Sequence, residues 1–257
     1  MLLASAVFDV DFLQKHDLGV ELYIAEDADW SKFDIYRDLV KTIHLPYSDL
    51  NLAAFNEQER RRSINVVKDV VNRSGVFKVD TMVLHPCGVF SLNGKTLGEY
   101  DRLISSLQEL ADFMAQRGLI LSLENQVLRR PELRVIAGCS SEEWFQLYCD
   151  VDRSNVTLTL DSSHAASASA HEADYEQRCA KLRRFLQHPE WISHFHWSDA
   201  RLQSNEAQWG DMHLVPGSGD LPVDFHRAVK QHGGSILFEQ ACPPEALEVG
   251  LKFYESL

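Results

Sequence analysis

Cysteine is scarce and unpatterned in this chain. Cys87, Cys139, Cys149, Cys179 and Cys242 are an odd set with no CxxC pair, which argues against a disulfide framework and fits a reducing, cytoplasmic setting. Long hydrophobic runs are missing as well. The apolar opening MLLASAVF has no preceding Lys or Arg and meets Asp9, so a first strand is expected there rather than a signal peptide or membrane span. Positive charge is in short supply: 25 Lys and Arg against 38 Asp and Glu give a formal net charge of −13. That balance opposes a broad polyanion-binding surface and argues against nucleic acid as a partner. GxGxxG after a strand, GxxxxGKS/T, GxSxG and HExxH are all absent. Dinucleotide, nucleoside-triphosphate, serine-hydrolase and zincin sites are thereby disfavoured, and no nucleotide cofactor is expected. No Gly/Ser/Pro-rich linker divides the 257 residues, so residues 1–257 read as one domain, a size that α/β barrels reach undivided.

What the chain does contain is a recurring pattern. Strand-like segments that end in a titratable side chain return roughly every forty residues: TIHLP with His44, MVLHPCG with His85, LILSLEN with Glu124, VTLTLDSSH with Asp161 and His164, ISHFHWSD with His196, and SILFEQ with Glu239. One strand, one helix and two loops consume about that length, so a repeated βα unit would set all of these side chains on one rim. Strands are expected near 2–8, 19–24, 40–46, 80–86, 119–125, 156–161, 192–198 and 235–240. Between them, Tyr100, Leu103, Ile104, Leu107, Leu110, Ala111 and Met114 trace one amphipathic helical face, and Ile64, Val67, Val70 and Val71 trace another within 55–74, as helices covering a sheet require. Alternation of strands and helices calls for parallel strands, and eight of them predict a single (β/α)8 TIM barrel; an open doubly wound sheet is the alternative.

Alternation within strands divides the two faces. Thr157, Thr159 and Asp161 share one face, as do Ser122 with Glu124 and Thr42 with His44, while Leu121, Leu123, Ile43, Ile236 and Phe238 fall on the other. The ligand candidates therefore share a small, partly polar interior face at the C-terminal strand ends. His, Asp and Glu supply the N and O donors that divalent ions accept, and Glu124, Asp161 and Glu239 converging would need a cation to offset their charge. Asp211 and His213, two residues apart in WGDMHLVPGSGD, are placed to chelate from a loop. His164, three residues after Asp161, faces the same side if a helix starts there. His194 shares the face of His196 but reads as a hydrogen-bonded barrel histidine. Arg129, Arg130 and Arg134 follow Glu124 in a loop, and guanidinium forks suit phosphate. Tyr47, Trp197 and Trp209 offer flat surfaces to a sugar, with packing the simpler role for Trp209.

GVELYI, IHLPY, VLHPCG, SLENQ, TLDSSHA, HFHWSDA, DMHLVPGSGD and LFEQ together resemble the xylose isomerase-like superfamily of barrels, also called the AP endonuclease family 2 type, across essentially the whole chain. Resemblance to its sugar or sugar-phosphate isomerases and epimerases implies one divalent ion (Mn²⁺, Zn²⁺, Mg²⁺ or Co²⁺) held by Glu124, Asp161, His196 and Glu239. It further implies Glu124 and Glu239 as proton-transferring carboxylates and Arg201 beside the substrate. Epimerases of this type carry the arginine one position later, where this chain has Leu202. Resemblance to endonuclease IV implies instead a multinuclear centre that adds His44, His85, His164, Asp211 and His213, and phosphodiester hydrolysis, with Tyr47 at a substrate-contacting position. That family's DTCH is DSSH here. Under either implication the partner is a small sugar or phosphorylated metabolite, with Tyr47, Arg129, Arg130, Trp197 and Arg201 as substrate contacts. A monomer and a homo-oligomer are equally compatible with the composition.

Overall fold

The computed structural model describes residues 1–204, 206–240 and 243–257, with the side chain of Trp209 and the whole of Cys242 outside the described residues. Strands β1 (Leu2–Ser5), β2 (Gly19–Tyr23), β3 (Val40–His44) and β4 (Thr81–Leu84) are followed by three short ones or their partners at the rim: β5 (Val89–Leu92), β6 (Lys95–Thr96) and, later, β8 (Arg134–Ile136). The remaining strands are β7 (Ile120–Glu124), β9 (Val156–Asp161), β10 (Ile192–Trp197) and β11 (Ser235–Phe238). Strands β1, β2, β3, β4, β7, β9, β10 and β11 pair in parallel and close on themselves in the order β1-β11-β10-β9-β7-β4-β3-β2. All eight expected strands are present, each within a few residues of its predicted bounds, and the closed ring excludes the open-sheet alternative.

Helices α1 (Val10–Lys15), α2 (Glu57–Arg73), α3 (Tyr100–Ala115), α4 (Ser141–Val151), α5 (Ser162–Ser169), α6 (Tyr175–Arg184), α7 (Val223–His232) and α8 (Pro244–Ser256) follow the barrel strands, except that a 3-10 segment, Trp30–Tyr36, joins β2 to β3 and both α5 and α6 lie between β9 and β10. Both predicted amphipathic faces are the buried ones: Ile64, Val67, Val70 and Val71 in α2, and Leu103, Leu107, Leu110, Ala111 and Met114 in α3. They pack on outward residues such as Ile43, Leu121, Leu123 and Leu158 in one continuous apolar shell. This burial supplies most of the fold's stability, about 25 cal/mol for each Å² of apolar surface removed from water.

Parallel register sets the height of the interior side chains. Glu124 stands opposite Thr159, His196 opposite Asp161, and His44 opposite Val83, so the polar ends of neighbouring strands reach the same rim. The sequence reading did not anticipate a second, three-stranded antiparallel sheet over that rim, in the order β6-β5-β8. Its hairpin turns on Asn93 and Gly94, whose φ angles of 51° and 74° are the pair of left-handed residues a two-residue hairpin requires. Asn51 fastens this sheet to the barrel: its Nδ2 donates to the Val89 carbonyl at 3.0 Å, and its Oδ1 accepts from Val89 N at 3.0 Å and Ala53 N at 3.1 Å. No described helix is long and apolar enough to cross a membrane.

Candidate metal centre

Glu124, fully buried at the end of β7, is the hub of the rim. Its Oε2 lies 3.1 Å from both His44 Nε2 and His85 Nε2, and its Oε1 lies 3.2 Å from His164 Nδ1 and 3.4 Å from His196 Nδ1. His196 Nδ1 is in turn 3.0 Å from Glu239 Oε2 and 4.0 Å from Asp161 Oδ2. On the open side, Asp211 Oδ2 is 3.3 Å from His164 Nε2 and 2.5 Å from His213 Nε2. All nine side chains singled out as ligand candidates therefore stand around one centre.

Local structure fixes their directions. Asp161 caps the N-terminus of α5, accepting from His164 N at 2.6 Å, so α5 begins where it turns His164 back over the rim. Main-chain carbonyls each face one imidazole nitrogen: Leu45 O lies 2.9 Å from His44 Nδ1, Asn125 O 2.7 Å from His164 Nδ1, and Glu239 O 2.8 Å from His213 Nδ1. A carbonyl only accepts, so each Nδ1 carries a proton and each Nε2 is left for the centre. The loop that brings Asp211 and His213 inward is held by Ser163 Oγ, which accepts from Met212 N at 2.8 Å.

Several features fit these residues to a cation. Glu124, Asp161, His196 and Glu239 offer one donor atom each, all within 4.8 Å of one another. An ion with bonds of about 2.0–2.2 Å in a tetrahedral site sets neighbouring donors roughly 3.3–3.6 Å apart, and His196 Nδ1 lies 3.0, 3.4 and 4.0 Å from Glu239, Glu124 and Asp161. Asp161 Oδ2, His196 Nδ1, Asp211 Oδ1 and Glu239 Oε2 are buried, yet none makes a properly directed hydrogen bond. Buried polar atoms that converge without bonding one another are costly unless something positive lies between them.

Without an ion, protons take that role. Burial pushes the Glu124 carboxyl up, but His85, His196 and His164 prevail and hold it well below the usual carboxylate range. Against the same burial penalty, His196 and His213 bring Glu239 down to about 2, and His164 and His213 hold Asp211 below its ordinary value. Burial opposes charge on the imidazoles too, yet facing carboxylates lift His196 and His164 well above the ordinary value and His213 to about 10. Asp161 goes the other way: burial, with Glu239 and Asp211 adding to it, outweighs His164 and drives its carboxyl well above the normal range. His85 is lowered by burial and His44 is raised, with Glu124 overcoming burial there. The carboxylates and imidazoles of the centre thus favour each other's charged forms, with Asp161 and His85, where burial dominates, as the exceptions.

Glu21 was not anticipated by the sequence reading. It lies on β2, 3% exposed, and one carboxylate grips two histidines: Oε1 is 2.9 Å from His196 Nε2 and Oε2 is 3.0 Å from His194 Nε2. Thr42 Oγ1 donates to Oε2 at 2.6 Å, and His194 Nδ1 meets Ser235 Oγ at 2.7 Å. His194 is accordingly held through Nδ1 by Ser235 beneath the centre, while the Glu21 carboxylate stands beside Nε2 of both histidines as a charge contact rather than a directed hydrogen bond, leaving His196 Nδ1 toward the centre. An acidic residue between Val20 and Leu22, both fully buried, was the available signal. Glu21→Gln is expected to lower affinity for a divalent ion about 10–100-fold while leaving an ion-free fold with native circular dichroism. Chelator competition and the visible spectrum of a Co²⁺-loaded sample measure this, and unchanged affinity would remove Glu21 from the positioning role.

The expected substrate contacts divide. Tyr47 stacks on His85 with ring centroids 4.3 Å apart and lines a cavity of about 370 Å³ above the centre. Arg129 and Arg134 line an adjoining lobe of about 260 Å³. Arg130 is in a left-handed turn residue, φ 43°, and lines neither space. Arg201 is exposed, 3.8 Å from Glu206, and also lines neither. Trp197 is on the outward face of β10, buried against Phe253 and donating its Nε1–H to His226 Nδ1 at 3.0 Å, because it follows inward-facing His196 by one residue. Cys87, Cys139, Cys149 and Cys179 are free thiols.

A closed (β/α)8 ring thus carries clustered N and O donors, able to hold a metal ion, at the C-terminal strand ends beside an open cavity. The chain belongs to the xylose isomerase-like TIM barrel family, whose model matches residues 15–257. It is 27% identical over 182 residues to an uncharacterized protein, MJ1311, of Methanocaldococcus jannaschii, covering 70% of this chain but only 56% of that relative's length. Among solved structures, a D-tagatose 3-epimerase-like protein superposes with a TM-score of 0.74 at 20% identity, covering 99% of this chain and 97% of the other. D-psicose 3-epimerase from Clostridium cellulolyticum H10 gives 0.69 at 16% identity, covering 100% and 99%. At such identities the likeness establishes the fold alone.

Proposed function

We propose that this protein is a divalent-metal-dependent isomerase or epimerase acting on a small sugar or sugar phosphate. The observation that carries the reading is the convergence of Glu124, Asp161, His196 and Glu239 beneath an open cavity. The sugar epimerases among the structural neighbours agree with it. A bound Mn²⁺, Zn²⁺, Mg²⁺ or Co²⁺ would polarise a substrate carbonyl and its neighbouring hydroxyl. Glu124, Asp161, His196 and Glu239 would hold that ion.

Glu239 is 29% exposed in its side chain while Glu124 is 1% exposed, so Glu239 is the carboxylate that substrate reaches most readily. It removes the proton from the carbon beside the carbonyl; return of that proton to the former carbonyl carbon, together with passage of the hydroxyl proton from one oxygen to the other, completes aldose–ketose exchange. Inversion needs a different proton, delivered to the opposite face of the same carbon by Glu124 after it has taken one up from solvent, while Glu239 keeps the proton it removed. His213 and Tyr47 flank the cavity and orient hydroxyls, while Leu237 and Phe33 provide apolar wall.

A second reading, a multinuclear phosphodiester hydrolase acting on a small metabolite, is favoured by one observation: His44, His85, His164, Asp211 and His213 also point their donors at the same centre. Elemental analysis of the purified protein, with turnover assays on sugars, sugar phosphates and phosphodiesters, decides between them. One ion per chain with sugar interconversion, abolished in Glu239→Gln, is expected. Two or three ions with diester cleavage would replace the first reading by the second, and failure to retain any divalent ion would overturn both.

A further inference from the structure

We propose that the lobe beside the metal centre is a phosphate subsite made by Gln126, Arg129 and Arg134, so that the substrate is a phosphorylated sugar rather than a neutral one. This rests on the reading above and narrows its substrate class. The lobe shares Tyr47, His85, His164 and Asp211 with the main cavity, so one molecule can occupy both spaces.

Its lining is selective. Gln126 follows Glu124 by two residues, is only 8% exposed, and its buried Nε2 has no hydrogen-bond partner. A buried amide donor without an acceptor is costly unless a ligand satisfies it, and Gln126 lines the lobe. Many arginines elsewhere in this acidic chain are taken up by carboxylates, as Arg60 is by Glu57, Arg61 by Glu109, Arg153 by Asp112 and Arg183 by Asp224, and Arg117 and Arg178 by main-chain carbonyls. Arg129 and Arg134 have no carboxylate within 4.0 Å among the described residues, although acidic side chains outnumber basic ones 38 to 25.

The backbone is shaped to present them. Gly210 stands so close to Arg129 that a Cβ there would meet its Nε at 2.6 Å and Cζ at 3.0 Å, so the missing side chain leaves room for the guanidinium against the loop of Asp211. Arg134 returns to the lobe through the turn in which Leu133 N and Arg134 N donate to Arg130 O at 2.8 and 3.1 Å, and it is then fixed by pairing with Leu92 in the small sheet. Three separate donor groups match the three terminal oxygens of a phosphate monoester, and two guanidinium charges match its dianion. A carboxylate would use only part of that set. With phosphate in the lobe, the sugar carbons extend past His85 and His164 toward Glu124 and Glu239.

The test is titration of Zn²⁺-loaded protein with inorganic phosphate by calorimetry and ³¹P NMR, in wild type, Arg134→Gln, Arg129→Gln/Arg134→Gln and Gln126→Leu. Arg129 and Arg134 are exposed, so their variants should fold and keep their metal, which elemental analysis verifies. One saturable phosphate site is expected, weakened about tenfold for each guanidinium removed and several-fold in Gln126→Leu, with acetate competing poorly. Equal phosphate affinity in wild type and the double variant would place the anion on the metal and overturn the subsite. Absence of saturable binding, or acetate competing as well as phosphate, would overturn it too. Interconversion of a neutral sugar by a protein that binds no phosphate would sink the subsite and leave the isomerase reading standing. Phosphate binding without any sugar interconversion would do the reverse.

Discussion

Replacement of Glu124 by glutamine is expected to cost the protein its metal and to lower turnover at least about 10²–10⁴-fold, the range associated with losing a positioned acid or base. The prediction follows from geometry. The two oxygens of Glu124 meet four imidazoles within 3.4 Å, so this carboxylate supplies negative charge to every part of the centre at once. Glutamine keeps the shape but replaces one oxygen by an N–H₂ group, which aims donors at nitrogens that should face a cation. The same residue is therefore expected to matter whether one ion or several bind. Metal content after dialysis against a weak chelator, read beside turnover, measures the effect. A Glu124→Gln protein that keeps stoichiometric metal would show that Asp161, His196 and Glu239 suffice, and would contradict the hub role.

Metal is expected to invert the pH dependence of stability between about pH 6.5 and 10. In the ion-free protein burial resists charge on His164, His196 and His213, but neighbouring carboxylates lift all three, His213 to about 10. A histidine raised in the native state stabilises fully below its unfolded value of about 6.5, and this contribution is lost as pH rises through the native value. The stripped protein should therefore melt at lower temperature as the solution becomes alkaline over that interval. Glu239, held at about 2, adds stability above the unfolded carboxylate value that disappears only as pH falls toward 2. An ion needs the imidazoles deprotonated, so it competes with their protons, and each proton displaced makes affinity rise by up to about tenfold per pH unit. Thermal unfolding with and without chelator should give slopes of opposite sign, and pH-stat titration should record proton release on metal addition. Parallel slopes and no proton release would show that the ion does not replace these protons.

Much of this arrangement is legible in the sequence because β-strand periodicity and βα spacing are strong, local and repeated. His44, Glu124, Asp161 and His196 follow from that pattern: each belongs to an apolar strand, and the alternation that puts Leu123 or Leu160 outside puts them inside. Asp211 and His213 were legible only as a chelating pair, since the contact that draws their loop inward, Ser163 to Met212, is long-range. The rim sheet was missed although Asn93-Gly94 is a strong hairpin signal, because strands of two to four residues give too few alternations to stand out. Trp197 was expected near substrate and is packed outside the ring, which the parity of His196 already implied. Arg201 was expected to contact substrate, yet its partner is Glu206; one residue of phase in a loop has no periodicity to fix it. Glu21 was overlooked because an isolated carboxylate carries no motif, and only closure of the ring brings β2 to β10.

That last contact ties the metal to the order in which the molecule can be assembled. Glu21 must meet His194 and His196 across more than 170 residues of chain, and the centre draws donors from His44 through to Glu239. Only the four-residue set of Glu124, Asp161, His196 and Glu239 draws on the final strand; smaller sets such as His85, Glu124 and His164 do not. The binding free energy of an ion that needs the full four-residue set would accrue to the closed ring, as linkage requires of a ligand that recognises only the native state. If an ion binds as proposed, the donor cluster acts as a clasp of the barrel, and the supply of metal would set how firmly the ring stays shut.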